Sequence, residues 1–283
     1  MIQDQKIAII GGTGKFGQHM GEMLENGNEI LISGSTLEKA ERIADEHDWD
    51  AGEGEEIVQD TDIVIFSAPI SLTVDLIEDL GPSIPDDALI CDVTSVKEKP
   101  CKAMAKHSNE VLGMHPMYAP SNPPESQNVV LCPINGKSWT MMEEFWMERN
   151  ANVHIATPEE HDKAMSVVQG LTHFTELVFA ETLRKIDHPE EKTEEFASPI
   201  YRIISDLTGR MLNQHSGLYS SIQTENDRNE EVRRLFAESS EELSQLIEEG
   251  SFDEKFEELR KVFDLEDSQN RSDNLIEFMR SEG

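Results

Sequence analysis

Apolar residues follow two rhythms along this chain. Up to about Ile155 they come as short continuous runs, such as Ile7–Ile10, Ile30–Ile32, Ile63–Phe66 and Val129–Cys132, separated by segments with helical spacing. Runs of this kind mark strands covered on both faces of a parallel sheet. The pattern predicts strands at Lys6–Ile10, Glu29–Ser33, Asp62–Ala68, Ala88–Val93, Glu110–Met114, Asn128–Cys132 and Asn152–Ile155. Helices are predicted between them, at Phe16–Glu25, Thr36–Glu46, Ser71–Leu80, Ser95–Lys106 and Ser138–Arg149. Such alternation implies a doubly wound, mainly parallel α/β domain of the Rossmann type.

After Thr157-Pro158 the strand signals stop. Pro158 with Glu159 and Glu160 after it is a helix start. The remaining pattern predicts helices over Glu159–Ile186, Glu190–Asn213, Ser216–Gly250 with breaks, Asp253–Phe263 and Arg271–Arg280. Two domains are therefore expected, an α/β domain over residues 1–156 and an all-α domain over residues 157–283.

The first strand runs into Gly11-Gly12-Thr13-Gly14-Lys15-Phe16-Gly17. Gly12, Gly14 and Gly17 have the GxGxxG spacing of a dinucleotide site between a strand and a helix. A pyrophosphate would rest there on unpaired N–H groups and the positive end of the helix dipole. The candidate cofactor residues are Gly12, Thr13, Gly14, Lys15, Phe16 and Gly17, with Ser35 and Thr36 at the end of the second strand. An NAD site usually carries an acid at that strand end. Here Ser33-Gly34-Ser35-Thr36 stands there, with Lys39 and Arg42 just beyond, which favours NADP slightly over NAD.

Charge narrows the partners. The 57 acidic and 24 basic residues leave a net charge of −33, which repels nucleic acid and anionic lipid. It also suits a salty cytoplasm. No run approaches the roughly 20 apolar residues of a membrane span, and no secretory signal is evident. Cys91, Cys101 and Cys132 show neither metal-ligand spacing nor an even disulfide set, and are expected as reduced, buried apolar filler in a cytoplasmic protein. No metal motif is present.

Ligands of such sheets lie beyond the C-terminal ends of the strands. His115 stands there before Pro116 and is a candidate base for an alcohol proton. Ser95, after Ala88–Val93, is either a helix N-cap or a polar site residue. On the helix from Glu159, Ala164, Val167, Val168, Leu171, Phe174 and Val178 form an apolar stripe expected to face the core. Ser166, Gln169 and His173 form a polar stripe beside it. His173 is equally readable as a satisfied interhelical histidine. Arg210, directly after Gly209, offers a fork for a carboxylate or pairs with a structural acid.

Taken together, Asp92–Lys97 with Lys99-Pro100, Gly113–Pro120, Glu160-His161-Asp162, Val168–Phe174, Phe196–Arg202 and Gly209 to Ile222 resemble the prephenate dehydrogenase (TyrA) family. The resemblance is strongest to archaeal members and to the dehydrogenase half of the enteric chorismate mutase–prephenate dehydrogenase. It implies oxidative decarboxylation of prephenate to 4-hydroxyphenylpyruvate in tyrosine biosynthesis, with His115 taking the ring hydroxyl proton and Ser95 orienting it. It further implies a substrate pocket with Arg210 on the ring carboxylate, His173 near the side chain, Tyr219 lining, Gln169 nearby, and Lys97 helping to hold an anion. A homodimer through the helical domain is also implied. Ala119 and Gly170 depart from residues found in some members. No regulatory or mutase module is recognisable, so tyrosine inhibition would act at the active site. The competing readings are an arogenate or broad cyclohexadienyl dehydrogenase, a dinucleotide-sensing binding protein without turnover, and a β-hydroxyacid dehydrogenase, which the HPM loop disfavours.

Overall fold

The computed structural model describes residues 2–186, 193 and 195–282. Contacts divide the chain into two compact units. The first comprises Met1–Ser166 with Ser220–Arg228, the second Val167–Tyr219 with Asn229–Gly283. The contact boundary thus falls after Ser166, beyond the position expected from Pro158, because the helix that Pro158 opens packs within the first unit.

An eight-stranded sheet organises the first unit, in the order β3-β2-β1-β4-β5-β6-β7-β8. Its strands are β1 (Lys6–Ile10), β2 (Glu29–Ser33), β3 (Asp50–Ala51), β4 (Ile63–Phe66), β5 (Leu89–Asp92), β6 (Glu110–Pro116), β7 (Asn128–Pro133) and β8 (Asn152–Ile155). Only the β6–β7 pairing is antiparallel. The central strands are buried on both faces: Ile7, Ile9, Ile63 and Ile65 meet one helical layer, and Ala8, Val64, Phe66 and Ile90 meet the other. Period-two segregation of this kind makes each apolar run serve two cores.

The helices are α1 (Lys15–Leu24), α2 (Leu37–His47), α3 (Gly54–Val58), α4 (Ile70–Leu80), α5 (Glu98–Met104), α6 (Thr140–Glu148) and α7 (Pro158–Met165). α7 begins with a complete capping box: Thr157 Oγ1 accepts from Glu160 N, and Glu160 Oε2 accepts from Thr157 N.

The elements depart from the predicted pattern in several places. β3 and α3 carry too few residues for a periodic signal. The single helix expected over Glu159–Ile186 is broken by a π-helical segment at Ser166–Leu171 before α8 (Thr172–Lys185). A π turn rotates the residues in and after it relative to the 3.6-residue period. Val167 and Val168 in that segment are consequently exposed, while Ser166 is buried; before it, on α7, His161 and Asp162 are buried and Ala164 is exposed.

The second unit is helical, with α8, α9 (Pro199–Leu212), the first four residues of α10 (Ser216–Glu225), α11 (Asn229–Glu249), α12 (Phe252–Leu259) and α13 (Leu265–Glu282); the rest of α10 belongs to the first unit. The predicted helix start at Glu190 lies outside the described residues. Gly170, in the π segment, is a point of close approach: a Cβ there would clash with the Asn229 side chain.

Candidate active site

The parallel pairing of β5 with β6 ends at Asp92 opposite Gly113, but β6 continues alongside β7 to Pro116. His115 therefore lies within a paired strand, opposite Val130, rather than in the loop expected after Met114. Its strand projects past the end of β5, at the C-terminal rim, and the side chain is buried.

His115 Nδ1 lies 2.8 Å from Nε2 of His161 on α7, with the rings edge to face. His161 Nδ1 in turn lies 2.7 Å from Asp162 Oδ1. That carboxylate also accepts from the backbone N–H groups of Lys97 and Glu98, at 2.8 and 3.0 Å. Asp162 thus caps α5 from another helix. Ser95 does not fill that role, since α5 starts at Glu98, and it makes no hydrogen bond to His115. Burial, then the proximity of His161 and Lys97, hold His115 well below the usual imidazole range. Burial also lowers His161, against the opposing hydrogen bond to Asp162.

Lys97 departs from the expectation of a substrate contact. Its ammonium is fully buried and donates to Asp92 Oδ2 and to the Met114 carbonyl oxygen. The lysine joins the ends of β5 and β6 beneath the histidine, and its charge is spent within the fold.

At the same rim, Gly11 turns the chain at φ +84°, and a Cβ on Gly17 would meet Gly11 O at 2.6 Å. α1 begins with no side-chain cap on Gly14, so its first-turn N–H groups stay free for an anion. The cradle fits a dinucleotide pyrophosphate. Thr13 packs against Gly34 at the end of β2, which brings Ser35 beside the glycine turn. Thr36 Oγ1, in contrast, accepts from Lys39 N as the cap of α2. Phe16 stacks edge-on with His19, and His19 Nε2 lies 3.2 Å from the hydroxyl of Tyr118, three residues after His115. The glycine-turn helix and the His115 segment are therefore in contact.

In the second unit, His173 meets Tyr219 edge-on, with ring centroids 4.9 Å apart. The His173 Nδ1 is buried without a hydrogen-bond partner among the described residues, so this is not a satisfied interhelical histidine. Burial lowers His173, and burial together with Glu176 raises Tyr219, opposed by Arg210. Arg210 is exposed and forms no ion pair with a described residue. Gln169 is half-buried in the π segment.

Sequence pattern alone does not mark the His161–Asp162 pair as site residues. His161 is visible only as part of the Glu160-His161-Asp162 motif, and nothing in its local pattern points toward a strand 46 residues away.

The prephenate dehydrogenase nucleotide-binding domain model matches residues 25–155, and the prephenate dehydrogenase dimerization domain model matches residues 157–265. A probable arogenate/prephenate dehydrogenase of Methanocaldococcus jannaschii is 33% identical over 251 residues, 85% of this chain and 56% of the relative. A T-protein of Enterobacter agglomerans is 31% identical, over 86% of this chain and 63% of its own. The chain thus spans about three fifths of the length of these relatives. Among solved structures, prephenate dehydrogenase from A. aeolicus, in complex with hydroxyphenyl propionate and NAD+, shares the fold with a TM-score of 0.75 at 21% identity, over 92% of this chain and 96% of that one. Synechocystis arogenate dehydrogenase shares it with a TM-score of 0.72 at 17% identity, over 95% and 99%. From the family models and the archaeal relative together, the chain belongs to the prephenate dehydrogenase family.

Proposed function

We propose that this protein is a prephenate dehydrogenase that oxidatively decarboxylates prephenate to 4-hydroxyphenylpyruvate. The observation that carries this reading is a buried, neutral His115 at the strand rim, in contact through Tyr118 and His19 with the helix of an open glycine cradle. A nicotinamide dinucleotide held by Gly12, Thr13, Gly14, Lys15, Phe16 and Gly17 would supply the hydride acceptor.

The chain's own groups do the rest. Hydride leaves a carbinol carbon readily only as the oxygen on it sheds its proton, so a base must stand beside that carbon. His115 accepts the proton through Nε2, the ring nitrogen that His161 does not engage. Loss of the ring carboxylate as CO2 then aromatises the ring. Arg210 binds and orients a substrate carboxylate, with His173, Tyr219 and Gln169 around the side chain. Ser95, at the rim, bonds the same hydroxyl. Lys97 acts beneath the site, adding to the burial that keeps His115 uncharged.

The cofactor reading is NADP ahead of NAD: no carboxylate ends β2, and Ser35, Lys39 and Arg42 are available to a 2′-phosphate. Domains over 1–156 and 157–283 remain the proposed division of labour, cofactor and substrate respectively. The second pairs two copies of the chain. In its support, Ile200, Ile204 and Leu207 on α9 leave an exposed apolar stripe. No helix among the described residues is long and apolar enough to cross a membrane, and a cytoplasmic site of action is proposed.

An arogenate dehydrogenase is the second reading, favoured by the name of the archaeal relative. Mixing the protein at molar KCl with prephenate or arogenate, and with NADP or NAD, while following reduced-cofactor absorbance separates them. Turnover of prephenate with NADP is expected. Turnover of arogenate alone selects the second reading, and turnover of neither removes both.

A further inference from the structure

We infer that His161 and Asp162 are positioning residues that fix His115 as its Nδ1–H tautomer and so leave the Nε2 lone pair as the base. This rests on His115 being the base of the proposed reaction.

The proton positions are set from the carboxylate upward. Asp162 accepts two backbone N–H bonds, from Lys97 and Glu98, and these favour its ionised form. An ionised carboxylate only accepts, so His161 Nδ1, 2.7 Å from Oδ1, must carry its proton. Both histidines are deeply buried, and burial favours the neutral ring. A neutral His161 protonated at Nδ1 presents a lone pair at Nε2. The 2.8 Å gap to His115 Nδ1 then holds one proton, and only His115 can supply it. His115 Nε2 is left unprotonated.

In the reaction, the substrate hydroxyl proton passes to His115 Nε2. The imidazolium so formed still donates Nδ1–H to His161, and His161 still donates to the Asp162 carboxylate. No proton need leave the relay during the chemical step. The groups facing His115 are His161 from α7 and, from the β5–α5 connection, Lys97, which is paired with Asp92 at the end of β5. The anchor is firm: Asn226 Nδ2 donates to the Asp162 carbonyl oxygen at 2.7 Å. Without His161, either ring nitrogen of His115 could hold the proton.

The test is nitrogen NMR on the full chain with labelled histidine, the His115 signals being assigned by their loss in His115→Gln. A protonated Nδ1 and an unprotonated Nε2 near neutral pH are expected, and the reverse overturns the proposal. In kinetics, His161→Phe, which removes the acceptor, should lower kcat by about 10²-fold with KM within about twofold. His161→Gln, which keeps an acceptor there, should recover part of the loss. A His161→Phe enzyme with kcat within about threefold of the parent also overturns it. Because the NMR reading needs no turnover, an inactive protein with the expected tautomer would sink the proposed function and leave the relay standing.

Discussion

Lys97 Nζ lies 2.5 Å from Asp92 Oδ2, with both side chains fully buried. Asp92 Oδ2 also accepts from Thr94 N and Thr94 Oγ1, whereas its Oδ1 has no hydrogen-bond partner among the described residues. One carboxylate oxygen thus gathers three donors. The pair ties β5 to β6 directly below His115.

A buried ion pair is costly to break because the remaining charge stays desolvated. Lys97→Met should lower stability by about 3–5 kcal/mol, read as a fall in the urea midpoint. Lys97→Met combined with Asp92→Asn should recover part of it by removing the stranded charge. A single variant with the parental midpoint and a raised prephenate KM would return Lys97 to the substrate pocket.

The depressed imidazoles set two pH dependences. The proposed working form of His115 is neutral, and burial, with His161 and Lys97 close by, lowers its pKa well below about 6.5. kcat/KM should therefore be flat through neutrality and fall only in more acidic solution. Stability tracks the same groups. His115, His161 and His173 all bind protons more weakly in the folded chain than in the unfolded one. Their contribution is complete above the unfolded value of about 6.5 and is lost as pH falls below it toward the folded values. Melting temperatures measured from pH 8 to pH 5 should hold level and then drop, and His115→Asn should flatten the drop. An acidic limb of kcat/KM centred above 6.5 would contradict the burial of the base.

Base and anchor should separate kinetically. His115→Asn removes proton acceptance but little binding, so kcat should fall by about 10²–10⁴-fold with KM nearly unchanged. Arg210→Gln would remove the proposed charge-assisted contact to the substrate, worth about 1.5–3 kcal/mol, so prephenate KM should rise by roughly 10- to 100-fold. Steady-state rates on both variants decide this; equal effects on kcat and KM in both would merge the two roles.

What the sequence made legible was what is local. β1 and β2 fall at their predicted residues because each is a continuous apolar run bounded by polar turns, and β8 does so on the alternation of Val153 and Ile155 with polar residues. The glycine cradle was visible for the same reason. Helix-long periodicity misled at Val167 and Val168: their spacing matches a core stripe, and only the π segment, signalled at most by Gly170, turns them to solvent. The site was half visible. His115 announces itself by its place before Pro116. The links among His115, His161, Asp162, Lys97 and Asn226 join β6, α7 and two connections across long sequence distances, and no periodicity encodes such a meeting.

Salt dependence arises from the surplus of acids. With 57 acidic residues against 24 basic ones, more than half of the carboxylates cannot have a cation of their own. Several cations already serve two acids each: Arg234 bonds both Glu231 and Glu238, and Lys99 bonds Glu225 and Asp227. Like charges crowd closer in the folded chain than in the unfolded one, so their repulsion destabilises the native state. The Debye length shrinks from about 10 Å at 0.1 M salt to about 3 Å at 1 M, which removes most of that repulsion between exposed groups. The melting temperature should rise steeply on adding KCl and level off as molar concentration is approached. Sucrose, which strengthens burial without screening, should not reproduce that saturating curve. A melting temperature that is the same in dilute buffer and in molar KCl would mean that the acidic surface does not oppose folding.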